Sequence, residues 1–381
     1  MKTSAERILT THTGSLPRPE SLLPTGADPA TIQSADPDVL RRAVADTVRH
    51  QVDAGVDVVN DGEVGKVSYA TYVTSRLSGF GEAQDAMSNF AIGDMIEFPR
   101  FIERTMRDAS SALSSLPACI DEVSYADTTQ VERDIENLRL ATEASGAAEV
   151  FMSAASPGVI AVFQPNRYYK TEEDYVFALA DAMKTEYDRI HQAGFLLQLD
   201  CPDLAMDFHL RPHEGGREGF VQGLAPRVEA INHATRDIPP DRLRMHVCWG
   251  NYEGHHHHDI PLADIIHEVL RARPMAVSFE AANPRHEHEW TVFEEVELPP
   301  DKVIVPGVLD STTNYIEHPD LVAQRLLRYA RLVGQERVIA GSDCGFATFA
   351  SMLTVDPGIT WAKLAAMAEG ARIATEWLEA A

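Results

Sequence analysis

Eight short apolar segments, separated by amphipathic stretches, constrain this chain more than any other feature. They run at 8–11, 56–61, 150–153, 195–200, 244–248, 276–280, 303–310 and 337–343, and most are rich in Val, Ile and Leu. The stretches between most of them have helical periodicity. Leu40, Val44, Val48 and Val52 recur every four residues along one face. Asp36-Pro37 just before them reads as a cap and a first-turn proline. Similar stretches span 129–145, 172–193, 219–235, 262–273, 320–333 and 359–378. Strands alternating with helices predict a parallel α/β sheet, and eight of them predict a single-domain (βα)8 TIM barrel over residues 1–381. A doubly wound open sheet is the runner-up. Residues 66–117 fit neither period and read as an insertion or lid after the second strand.

Composition narrows the function classes. A formal net charge of -25 argues against nucleic acid or anionic membrane as a partner, since both need clustered Lys and Arg. The sequence has neither a run of about 18 apolar residues nor a signal-peptide core at its start. Four cysteines in 381 residues cannot make a disulfide framework, so reduced thiols and a cytoplasmic setting are expected. A homo-oligomer is left open.

The strand segments end in polar residues: Asp61 and Glu63, Asp200, His246 and Cys248, Glu280, Asp310, Asp343 and Cys344. In a barrel those ends meet at one mouth. His246 and Cys248, two apart, share one face of a strand. With Glu280 and Cys344 they form a nitrogen, oxygen and two-sulfur donor set that suits zinc. A buried cysteine beside a packed histidine is the plain alternative. Cys201 reads as a packed thiol. His255 to His258 form a run of four that reads as a mouth loop or a second metal site. His286, His288, Trp290 and His12 either reach a second substrate or belong to the rim.

Seven ordered motifs resemble the catalytic barrel of the zinc-dependent, cobalamin-independent methionine synthases, over nearly the whole chain. They are Thr10-Thr11-His12-Thr13-Gly14-Ser15-Leu16-Pro17, Asp61-Gly62-Glu63, Gln198-Leu199-Asp200-Cys201-Pro202, His246-Val247-Cys248, Ser278-Phe279-Glu280, Pro306-Gly307-Val308-Leu309-Asp310 and Asp343-Cys344-Gly345. The resemblance implies a (βα)8 barrel with His246, Cys248, Glu280 and Cys344 as zinc ligands and catalytic centre. It implies that Gly14, Ser15, Glu63 and Asp200 bind homocysteine or a related amino-thiol. The expected activity is methyl or alkyl transfer to a zinc-bound thiolate, with a small thiol and an alkyl donor as partners.

Three departures concern the donor. The family's I-D-E-P carries Cys201 in place of Glu, and its D-I-H-S reads Asp310-Ser311-Thr312-Thr313, without the histidine. Ser156 to Phe163, which matches the pterin-stacking stretch, has no Trp. A methyl-folate donor is therefore not the expectation. The pattern also resembles the epoxyalkane:coenzyme M transferases, which alkylate a sulfonate thiol and need cations such as Lys66, Arg167, Lys170 or Arg285. A metal-free barrel of the uroporphyrinogen decarboxylase kind, or a non-catalytic thiol-binding protein, is the alternative from another class.

Overall fold

A computed structural model describes residues 1–24, 27–81, 97–101, 103, 116–350 and 353–380. In chain order the strands are β1 (Leu9–Thr10), β2 (Val58–Val59), β3 (Phe80–Gly81), β4 (Ala118–Cys119), β5 (Glu149–Ala155), β6 (Leu196–Asp200), β7 (Leu243–Val247), β8 (Ala276–Phe279), β9 (Val303–Leu309) and β10 (Ile339–Ser342). The larger helices are α1 (Pro37–Asp53), α2 (Thr129–Thr142), α3 (Pro157–Phe163), α4 (Glu172–Gln192), α5 (Gly216–Gln222), α6 (Leu224–Ala234), α7 (Leu262–Val269), α8 (Pro319–Val333) and α9 (Pro357–Glu379).

Eight strands form one parallel sheet in the order β1-β10-β9-β8-β7-β6-β5-β2. β1 and β2 bring its two edges together: Asp57 N donates to Thr10 O at 3.1 Å, and Thr11 Oγ1 to Val58 O at 3.0 Å. The result is the nearly closed (βα)8 barrel that the alternating pattern predicts. Each strand segment expected from the sequence overlaps one of these eight. Asp36 caps α1, its Oδ1 accepting from Asp38 N at 2.9 Å. The helix expected over 219–235 is instead two, α5 and α6. Pro226 has no N–H to donate to the Gln222 carbonyl and its ring crowds that turn.

The barrel lumen is packed rather than hollow. Leu9, Ala276, Val303, Val305 and Ile339 form one inner cluster, and Val58, Phe151 and Leu196 another. Arg244 is buried with them. It lies 4.1 Å from the Phe151 ring centre and donates to Thr11 Oγ1 and His12 O. The larger apolar core lies between barrel and helices.

Of the expected insertion at 66–117, residues 82–96, 102 and 104–115 lie outside the described residues. Their flanks pair as the antiparallel β3–β4 ribbon, beside the barrel. Beneath it sits a buried ion cluster. Arg76 contacts Asp134 of α2 at 2.5 Å and Glu186 of α4 at 3.1 Å, and lies over the Tyr72 ring. The Tyr72 and Tyr125 hydroxyls donate to Glu186 at 2.7 and 2.6 Å. Burial alone would raise the Glu186 carboxyl; Arg76, Lys66 and the two hydroxyls reverse this and hold it below its usual value.

Candidate metal centre

Parallel pairing sets the site. Asp200 of β6 is level with His246 of β7, which is level with Ser278 of β8. Two residues further along the same faces stand Cys248 and Glu280, and Cys344 follows β10. All four candidate ligands are buried. The Cys344 sulfur lies 2.8 Å from that of Cys248, 3.6 Å from His246 Nε2 and 3.5 Å from Glu280 Oε1. Ligand bonds of about 2.0 to 2.3 Å in a tetrahedron give edges of roughly 3.3 to 3.8 Å. The sulfur–nitrogen and sulfur–oxygen edges meet that, and the two sulfurs must part by about 1 Å to do so. Their separation is well beyond a disulfide bond, and all four cysteines are free.

Polar neighbours hold these donors in place. The other histidine nitrogen, Nδ1, faces Ser278 Oγ at 3.3 Å, leaving Nε2 toward the sulfurs. Glu280 accepts from Trp249 N and from Asn283 Nδ2, both at 2.8 Å. Asp343 accepts from the N–H groups of Ala281, Ala282 and Asn283, fixing the turn that follows Glu280. Asn251 Nδ2 reaches Gly345 O at 2.6 Å, and Ser311 Oγ accepts from Cys344 N. Trp249, Asn251 and Asn283 had no sequence signal. Their roles depend on loops that meet only in three dimensions.

Burial sets the electrostatics. It pushes the Cys248 thiol up to about 11 and that of Cys344 well above its ordinary value, with neighbouring Cys248 adding to the second shift. It pushes the His246 imidazole down to about 3, with Arg244 adding to the effect. The cluster therefore holds neutral imidazole and two thiols that a divalent ion would have to deprotonate.

Beside it stands the predicted thiol-binding group. Gly14 and Ser15 form a loop whose Ser15 O accepts from Phe346 N at 2.8 Å, against the Cys344-Gly345 turn. Glu63 is buried in a left-handed conformation, φ 53°, after Gly62 at φ 66°. Its carbonyl accepts from Arg18 and Lys66 N, both at 3.0 Å, which holds that strain. Asp200 accepts from Gln198 Nε2 at 2.8 Å. Burial raises the Asp200 carboxyl well above its usual range, and Glu63 adds to the effect. Buried side-chain atoms without partners gather here among the described residues: Asn60 Nδ2, Glu63 Oε2, Ser153 Oγ and Gln198 Oε1. A methyl at Gly14 would stand 2.5 Å from Glu63 Oε1 and 2.7 Å from Ser153 Oγ. Gly14→Ala should therefore destabilise the fold by about 1–3 kcal/mol through overpacking. Urea unfolding would measure the loss.

A cavity of about 370 Å³ opens above Glu280, lined also by Gly250 to His256, Asn283 to Arg285, Asp310 to Thr313 and Asp343. His12, His286, His288 and Trp290 do not line it. His12 is held in the core by Gln51, and His286 is buried between Asp259 and Glu289 at 3.0 and 2.8 Å. Cys201 is buried, its thiol turned to Leu199 O. Arg167 and Lys170 are exposed.

Residues 89–371 match the family model described as the cobalamin-independent synthase catalytic domain. A methionine synthase of Saccharolobus islandicus is 26% identical over 379 residues, covering 97% of this chain and 96% of its own length. One from Thermococcus kodakarensis is 24% identical over 337 residues, covering 88% and 83%. The solved B12-independent methionine synthase from Shewanella sp. W3-18-1, in complex with selenomethionine, superposes with a TM-score of 0.73 at 18% identity. That match covers 98% of this chain and 100% of the other.

Proposed function

We propose that this chain, which belongs to the cobalamin-independent synthase family, transfers a methyl group to the sulfur of homocysteine or a related amino-thiol. The observation that carries the reading is the convergence of His246, Cys248, Glu280 and Cys344 from three strand ends onto one buried point, beside two carboxylates. His246, Cys248, Glu280 and Cys344 would hold zinc, whose charge keeps a substrate thiol deprotonated near neutral pH, where a free thiol of pKa about 8.5 is mostly protonated.

The chain's own groups do the rest. Trp249 N and Asn283 fix the Glu280 carboxylate, so the donor set does not reorganise during turnover. Glu63 and Asp200 stand where a substrate ammonium would relieve their mutual repulsion. Gly14 leaves the space for it. The sulfur would then attack the methyl carbon as the carbon–donor bond breaks, the electron pair leaving with the donor. The cavity above Glu280 is where the donor would sit. α3 is buried throughout and contains no Trp to stack a pterin, which favours a donor other than methyl-folate.

A second reading, alkylation of a sulfonate thiol, draws on Lys66. Its buried ammonium donates to Ser153 O at 2.6 Å, close enough to lower the Asp200 carboxyl. Binding separates the two readings. Homocysteine should release a proton on binding to the zinc-loaded protein, and 2-mercaptoethanesulfonate should not. Glu63→Gln with Asp200→Asn should weaken homocysteine binding by at least about tenfold, one lost charge-assisted pair. A thiol without the amino group should be unaffected. Proton release by the sulfonate alone would reverse the ranking, and a protein that takes up no zinc would end both readings.

A further inference from the structure

We infer a second metal site, at the rim of the barrel mouth, formed by Glu97, His257 and His258. It is separate from the buried cluster and from the proposed thiol chemistry. The four histidines after β7 divide by environment. His256 is held in a left-handed turn, φ 50°, its ring nitrogens on Asp259 and on Tyr252 O. His255 packs its ring against Phe98 and Phe101, with centroids 4.4 and 5.1 Å away. His257 and His258 instead direct Nε2 at the two oxygens of Glu97, at 2.9 and 2.8 Å. The three donor groups lie within 4.8 Å of one another. Their side chains are 34%, 45% and 51% exposed, so an ion can reach them from solvent.

The donor chemistry selects the ion. Two imidazoles and one carboxylate, with water completing the shell, suit zinc, cobalt or nickel. Calcium and magnesium prefer all-oxygen shells. An exposed ion pair between a carboxylate and histidines is worth little by itself. A divalent ion would engage all three groups at once, through one nitrogen of each ring and the carboxylate.

Position gives the site a consequence. Glu97 and His257 are 160 residues apart in the chain. The loop carrying the histidines supplies His255 and His256 to the wall of the cavity above Glu280. An ion here would tie residues 97–101 to that wall and so restrain the rim through which a second substrate enters.

The test uses the full-length protein and Zn2+ alone. At slight excess, wild type should retain two ions and His257→Ala/His258→Ala only one. Cys248→Ser should lose the other ion and keep this one, so failure of the transferase reading leaves the count at the rim unaffected. Glu97→Gln, a change of one exposed carboxylate to an amide, repeats the test without altering the loop. Zn2+ should slow amide exchange at residues 97–101 in wild type and not in the histidine variant. Equal ion counts in wild type and both variants, or a rim ion appearing only at millimolar Zn2+, would overturn the site. Unchanged exchange on ion binding would overturn the tether.

Discussion

Cys344→Ala is expected to lose the zinc ion of the buried centre, keeping only the rim ion, and to lower methyl transfer by about a thousandfold. The factor has two parts. Near pH 7 a thiol of pKa about 8.5 is only about 3% ionised, so losing metal activation forfeits roughly 30-fold. Losing the fixed position of the sulfur forfeits at least about a further 30-fold. The variant should still fold, because Cys344→Ala removes a single buried atom of a residue held through its backbone by Ser311. Proton linkage gives an independent readout. Burial holds Cys248 up at about 11 and, with Cys248 beside it, Cys344 well above its ordinary value, while His246 is already neutral. Zinc must therefore displace about two protons in wild type, and its affinity should rise roughly a hundredfold per pH unit near neutrality. In Cys344→Ala the slope should halve on a logarithmic scale. Metal analysis, initial rates and calorimetry in two buffers would measure these effects. Full zinc content with an undiminished rate would remove Cys344 from the centre.

Arg76→Met is expected to be the most destabilising single substitution away from the metal centre, at about 3–5 kcal/mol. Arg76 is the shared partner of Asp134 and Glu186, both buried, and removing it leaves the two carboxylates with the tyrosine hydroxyls, Arg133 and the more distant charge of Lys66. The sign of the pH dependence follows from Glu186. Its carboxyl is held below its usual value, so the cluster stabilises the protein above the unfolded pKa of about 4.3 and this is lost as pH falls through the folded pKa. Wild type and variant should thus differ most at neutral pH and converge in acid. Arg76→Lys should recover part of the loss, since one ammonium cannot bridge two carboxylates as a guanidinium does. Denaturant melts at pH 7 and pH 4 would show this, and a loss under about 1 kcal/mol would mean that the cluster contributes little.

The two sites differ in how far the linear sequence discloses them. His246 and Cys248 announce themselves because strand alternation places residues two apart on one face. Glu280 and Cys344 can be added because parallel strands all end at the same mouth. The barrel itself follows from the alternation of segments, although β1 and β2 are only two residues long. What supports the ligands is not legible in this way. Asn283 and Asp343 meet across 60 residues, and Arg76 reaches Asp134 across 58. No local period links such pairs. The four-histidine run shows the same limit: its members are alike in sequence, yet one packs against aromatic rings, one locks a turn and two face a carboxylate.

The backbone at Glu63 carries an evolutionary consequence. A glycine or asparagine would adopt φ 53° with less strain. Selection for foldability alone would therefore drift this position toward those residues. A lineage that keeps glutamate here despite the strain is expected to be under selection for its carboxylate. On the proposed reading, the identity of this one residue across relatives would separate barrels that have kept an amino-thiol substrate from those that retain only the scaffold.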